Sequence, residues 1–66
     1  MTITVNGETR EATSAMTIRQ LLDELQISAV RVAVEVNLEI VPKAAYEQHT
    51  LQEGDKIEIV HFVGGG

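Results

Sequence analysis

Residues 17–36 read TIRQLLDELQISAVRVAVEV, and inside this stretch the apolar period changes from that of a helix to that of a strand. Ile18, Leu21, Leu22 and Leu25 fall at i, i+3, i+4 and i+7, which places them on one face of an α-helix. Thr17 followed by Gln20 three positions on is a capping box, so the helix is predicted to start at Ile18. Arg19, Asp23 and Glu24 fall on the opposite face. Beyond the helix Val30, Val32, Val34 and Val36 share one parity, while Arg31, Ala33 and Glu35 share the other. A strand is predicted there, its valine row packed on the leucine stripe.

Both flanks fit a sheet around that helix. Ahead of it, Ile3 and Val5 alternate with Thr2 and Thr4 before Asn6-Gly7, a pair suited to a two-residue type I′ turn because both positions need positive φ. A hairpin over residues 2–12 is expected. Behind the long strand, "NLE" turns the chain into a short strand that Pro42 ends or confines to an edge. "KAAYEQHT" supplies a helical turn, and a turn at Glu53-Gly54-Asp55 feeds a last strand with Ile57 and Ile59 inward. The order β-β-α-β-β-β with one main helix is α+β, a β-grasp: a small mixed sheet wrapped on a helix. The crossover is expected to bring the long valine strand beside the first strand. The domain is expected to span 1–62, with 63–66 a flexible C-terminal Gly tail.

With 66 residues and 44% hydrophobic side chains the sequence describes one folded domain with little room for a buried cleft. Cysteine is absent, which removes disulfides and side-chain thiol chemistry. His49 and His61 lack ligand-like spacing, so no metal site is expected. No apolar run approaches a membrane span and no basic-then-apolar leader opens the sequence; the expectation is a soluble, cytoplasmic protein with no membrane partner. Ten acids against five bases give a net charge of -5, which disfavours nucleic acid as a partner. That charge either steers the protein towards basic protein surfaces or simply keeps it in solution. Catalytic residues are not expected: no paired carboxylates, nucleophile with base, or metal set is present.

The sequence closes on Val63-Gly64-Gly65-Gly66. Four extended residues reach on the order of 14 Å at about 3.3–3.6 Å each, enough to pass from one protein into a neighbour's active site. Glycines thread narrow channels because they carry no side chain. A phosphate-cradling loop is excluded, since no helix comes after them to aim its amides. Read as a free end, the segment offers one group worth extending, the carboxylate of Gly66. A carboxylate is a poor electrophile until adenylation supplies AMP as leaving group, after which sulfur or nitrogen can attack. Without cysteine, a thiocarboxylate at Gly66 is the only ordinary place for this chain to hold sulfur.

Taken together, "TIRQLL" at the helix, "VAVEVNLEIVP" at 32–42, "LQEGDKIEIV" at 51–60 and the ending "VGGG" resemble the ThiS family of thiamine-biosynthesis sulfur carriers, ubiquitin-like proteins related to the small subunit of molybdopterin synthase. The resemblance spans essentially the whole length. It implies a protein co-substrate and not an enzyme. An adenylyltransferase like the ubiquitin-activating enzymes would use ATP and magnesium on Gly66, the carrier binding no cofactor itself. A cysteine desulfurase, or another persulfide donor, would supply the sulfur, and thiazole synthase would take it from the thiocarboxylate. Gly65 and Gly66 fall on the family's terminal pair, and Gly64 on its frequent triple ending.

Strand parity adds a second surface. With Ile57 and Ile59 inward, Lys56, Glu58, Val60 and Phe62 face away from the helix. Val60 and Phe62, with Ala33 and Val63, are candidates for a patch that delivers Gly64, Gly65 and Gly66 to partner active sites. The competing expectation is that Phe62 folds over the sheet edge and completes the core. Other functions also stay open: a carrier serving molybdopterin synthesis or tRNA thiolation, a ubiquitin-like modifier joined to lysines, and an interaction domain with an inert tail.

Overall fold

The computed structural model describes residues 1–62. Its elements are β1 (Thr2–Val5), β2 (Glu8–Glu11), α1 (Ile18–Glu24), β3 (Val32–Val36), β4 (Glu39–Val41) and β5 (Lys56–His61), with 3₁₀ turns at Ala29–Arg31 and Lys43–Ala45. One five-stranded sheet runs in the order β2-β1-β5-β3-β4. β1 and β5 are parallel and every other pair is antiparallel. This is the β-grasp arrangement anticipated from the element order.

The helix begins where its cap dictates. Thr17 Oγ1 accepts from the Gln20 amide at 3.2 Å, and the Gln20 side chain accepts from the Thr17 amide at 2.9 Å. The far end is a Schellman closure: Gln26 N–H donates to Asp23 C=O and Ile27 N–H to Leu22 C=O, with Gln26 at φ 60. Ile18, Leu21 and Leu22 are fully buried, whereas Leu25 caps the helix and is half-buried. They pack on the inward row Ile3, Val32, Val34, Val36, Ile57 and Ile59. Met16, Tyr46 and Leu51, contributed by connecting segments, close the core. Burial pushes the Tyr46 phenol above its usual pKa, with a Val34 backbone hydrogen bond as a smaller opposing influence.

Two expectations are corrected. Val30 does not join the valine row: it sits in the 3₁₀ turn Ala29–Arg31 and is 72% exposed. The strand begins only at Val32, because the chain must first turn out of the helix closure. The long strand also does not lie beside β1. β5 takes that place and separates β1 from β3. As the longest strand, with two buried isoleucines, it gains most from having neighbours on both sides.

β5 is gripped by asparagines from two hairpin turns. Asn6-Gly7 has φ of 49 and 84, the type I′ signature. The ladder between β1 and β5 is short, Thr4↔Lys56 and Val5↔Ile57. Where β1 turns away, the Asn6 side chain continues it, accepting from Ile59 N–H at 2.7 Å and donating to Ile59 C=O at 3.1 Å. Asn37 at φ 53 opens the second such turn, between Val36 and Glu39. Its side chain accepts from Lys56 N–H at 3.0 Å and donates to the Asp55 carboxylate at 2.9 Å.

Asn6→Gly keeps the turn but removes the grip on Ile59, and is expected to cost about 1–2 kcal/mol in urea unfolding. Leu38 holds φ 72 at the position that glycine fills in the first hairpin, so Leu38→Gly is expected to gain roughly 1 kcal/mol.

Candidate functional site

Two concavities lie on the described body, and neither resembles an active site. One, of about 240 Å³, lies between the first hairpin and the end of α1, lined in part by Val5, Asn6, Arg10 and Ile27. Arg10 pairs with Glu24 at 3.2 Å there, leaving its Nε buried without a partner. The other, of about 210 Å³, lies at the second hairpin beside Asn37, His49 and Asp55. Neither brings a nucleophile to a base. Among the described residues no His, Asp and Glu cluster could hold a metal ion, and no helix is long and apolar enough to cross a membrane.

The unusual surface is the sheet face away from α1. Register places Ala33 opposite Val60 and Glu35 between Glu58 on β5 and Ile40 on β4. Val60 is 56% exposed, Phe62 57% and Ile40 73%. Phe62 therefore does not complete the core. Its N–H donates to Arg31 C=O at 2.9 Å, which carries the β5–β3 pairing one step past the strand end. Its ring lies 4.9 Å from Lys43 Nζ, a cation–π contact from the turn after β4. The parity argument thus placed Ala33, Val60 and Phe62 correctly on one open face, and Ile40 joins them. Ile40 shares that face because β4 repeats the alternation of β3 across a two-residue turn; the "IVP" run concealed it, since Val41, its neighbour, is the buried one.

Phe62 is the last described residue, so the face ends where the chain runs on to Val63. Val63, Gly64, Gly65 and Gly66, the remaining predicted site residues and the expected flexible tail, lie outside the described residues. What the described body offers is a rigid mount. The strand leading to them is central in the sheet, paired on both sides and clamped by two side chains.

Because both side chains are more than half exposed, Val60→Ser and Phe62→Ser are each expected to change unfolding free energy by less than about 1 kcal/mol. Chemical denaturation checks this. A larger loss would return Phe62 to the core.

The ThiS family model matches residues 3–66. A thiazole synthase of Paramagnetospirillum magneticum is 52% identical over 66 residues, all of this chain but only 20% of that protein. The chain thus spans about a fifth of that relative. The sulfur carrier protein ThiS of Escherichia coli is 30% identical over 66 residues, 100% of each chain. Among solved structures, the crystal structure of the thiamine biosynthesis protein ThiS of Geobacter metallireducens is similar with a TM-score of 0.87 and 33% identity, covering 100% of both chains.

Proposed function

The chain belongs to the ThiS family, and we propose from that premise that it carries sulfur for assembly of the thiazole ring of thiamine. The observation that carries the reading is the extent of the match. The family model runs through Gly66, and the similarity to a protein named sulfur carrier covers both chains end to end.

The chemistry rests on the group that Gly66 presents as a C-terminal residue. An adenylyltransferase with ATP and magnesium joins the carboxylate to AMP and releases pyrophosphate. The outer sulfur of a persulfide, formed by a cysteine desulfurase or another donor, attacks the acyl carbon, and AMP leaves. A second thiol then cleaves the sulfur–sulfur bond, leaving a thiocarboxylate. Thiazole synthase takes the sulfur, and the carboxylate returns for another cycle. The carrier is a substrate throughout and needs no cofactor or catalytic residue of its own. Gly64, Gly65 and Gly66 have no side chains to obstruct a narrow channel. Val60, Phe62, Val63 and Ala33 form the docking patch that brings them there. All of these steps belong in the cytoplasm, where ATP and reduced thiols are at hand.

Similarity to the thiazole synthase favours the thiazole pathway over molybdopterin synthesis or tRNA thiolation, because that enzyme carries a stretch like this chain within its own sequence.

Deleting Gly65 and Gly66 is expected to abolish rescue of a carrier-deficient strain on thiamine-free medium, with the folded body unchanged by circular dichroism. Intact-protein mass spectrometry of cellular material should show one terminal oxygen replaced by sulfur. Rescue by the truncated chain, or Gly66 found in isopeptide linkage to lysines instead, would overturn the proposal.

A further inference from the structure

The open face is graded in charge along β5. At its centre Glu35 and Glu58 are Cα partners on adjacent strands, like charges set directly opposite, an arrangement that destabilises a sheet. One register step on come the apolar Ala33 and Val60. Beyond them Phe62 lies between Arg31, whose carbonyl takes its N–H, and Lys43, whose ammonium sits over its ring. The described residues form two ion pairs, Arg10–Glu24 and Arg19–Asp23, and neither involves this face. Lys56 shares the face two positions before Glu58 but reaches neither carboxylate within ion-pair distance. Of five basic residues in a chain of net charge -5, two thus collect unpaired beside Phe62, where the chain leads on to the glycines.

From this grading we infer that the face is read directionally by the adenylyltransferase, an inference that rests on the carrier function proposed above. The partner surface presents carboxylates to Arg31 and Lys43, an apolar floor to Val60 and Phe62, and lysine or arginine to Glu35 and Glu58. An apolar patch alone would accept a partner turned end for end. Oppositely charged flanks do not, because the reversed pose sets like charges together at both ends. Charge order therefore selects the one orientation in which Val63 leads into the catalytic channel. The two flanks are positioning groups: they act on encounter and register, not on the reacting carboxylate.

The test is pyrophosphate exchange with the cognate adenylyltransferase at saturating ATP, comparing wild type with two charge reversals, R31E/K43E and E35K/E58K. These shift net charge in opposite directions. Steering by total charge would raise kcat/KM in one and lower it in the other. Directional reading lowers it in both, by about tenfold at low salt, with kcat changed far less and the deficit shrinking as salt is raised. The milder R31Q/K43Q pair covers any failure of the reversed chain to fold. A further arm uses E58K alone, which sets an opposite charge beside Glu35. Its melting temperature should rise by roughly 1–6 °C while kcat/KM falls, a divergence that a purely structural role would not produce. Opposite-signed responses, or unchanged kcat/KM in both reversals, overturn the inference and leave the carrier function standing. Absence of exchange with the wild-type chain overturns both.

Discussion

The structure depends on one placement: the final strand occupies the centre of the sheet. Between β1 and β3, β5 has both backbone edges engaged, and its two isoleucines lie under the helix. Parallel pairing with β1 is short, and the Asn6 and Asn37 side chains extend the grip at Ile59 and Lys56. Each asparagine does two jobs at once. Its backbone accepts the positive φ that a tight hairpin requires, and its amide replaces strand hydrogen bonds that the turning chain can no longer offer. Ends of chains commonly fray, so a C-terminal segment secured this firmly up to Phe62 is a structural commitment. The residues after Phe62 are launched from the stiffest line in the molecule.

A central β5 also determines what the open face can be. Helix α1 covers one side of the sheet and nothing in the described chain covers the other. Parity on β5 then exposes Val60 and Phe62 as the direct consequence of burying Ile57 and Ile59. The same register brings Glu35 to Glu58 and Ala33 to Val60. Core and docking surface are therefore two readings of one alternation. A one-residue slip of β5 would empty the core and bury the patch together.

Much of this was legible in the sequence, and the portions that were not share a cause. Thr17 with Gln20, Asn6 with Gly7, and the Ile18–Leu22 stripe act through neighbours within four positions, and each element formed where those signals put it. Val30 carried the right parity but lies in a stretch whose geometry is set by closure of the preceding helix at Gln26 and Ile27. Strand order was misplaced because it depends on which strand gains most from two neighbours, a comparison across the whole sheet. Met16, Tyr46 and Leu51 lie in segments without a period to betray them, and their burial comes from where the chain passes over the sheet end. Val60 and Phe62 were legible for the opposite reason: once Ile57 and Ile59 point inward, strand geometry leaves them no alternative.

A body of this size is marginally stable, so features that weaken it without serving the fold require another account. The Glu35–Glu58 opposition works against the sheet by a few tenths of a kcal/mol or more, and half-exposed Val60, Phe62 and Ile40 contribute little to the core. An enzyme would concentrate such compromises around a pocket. Here they spread over a flat face that ends where the glycines begin, while the concavities elsewhere bring no reacting groups together. That distribution suits a protein whose chemistry happens inside another molecule. Such a protein has no catalytic geometry to maintain, and its specificity must lie in how it is held: an apolar area for adhesion, flanking charges for direction, and a fixed strand to aim the glycines.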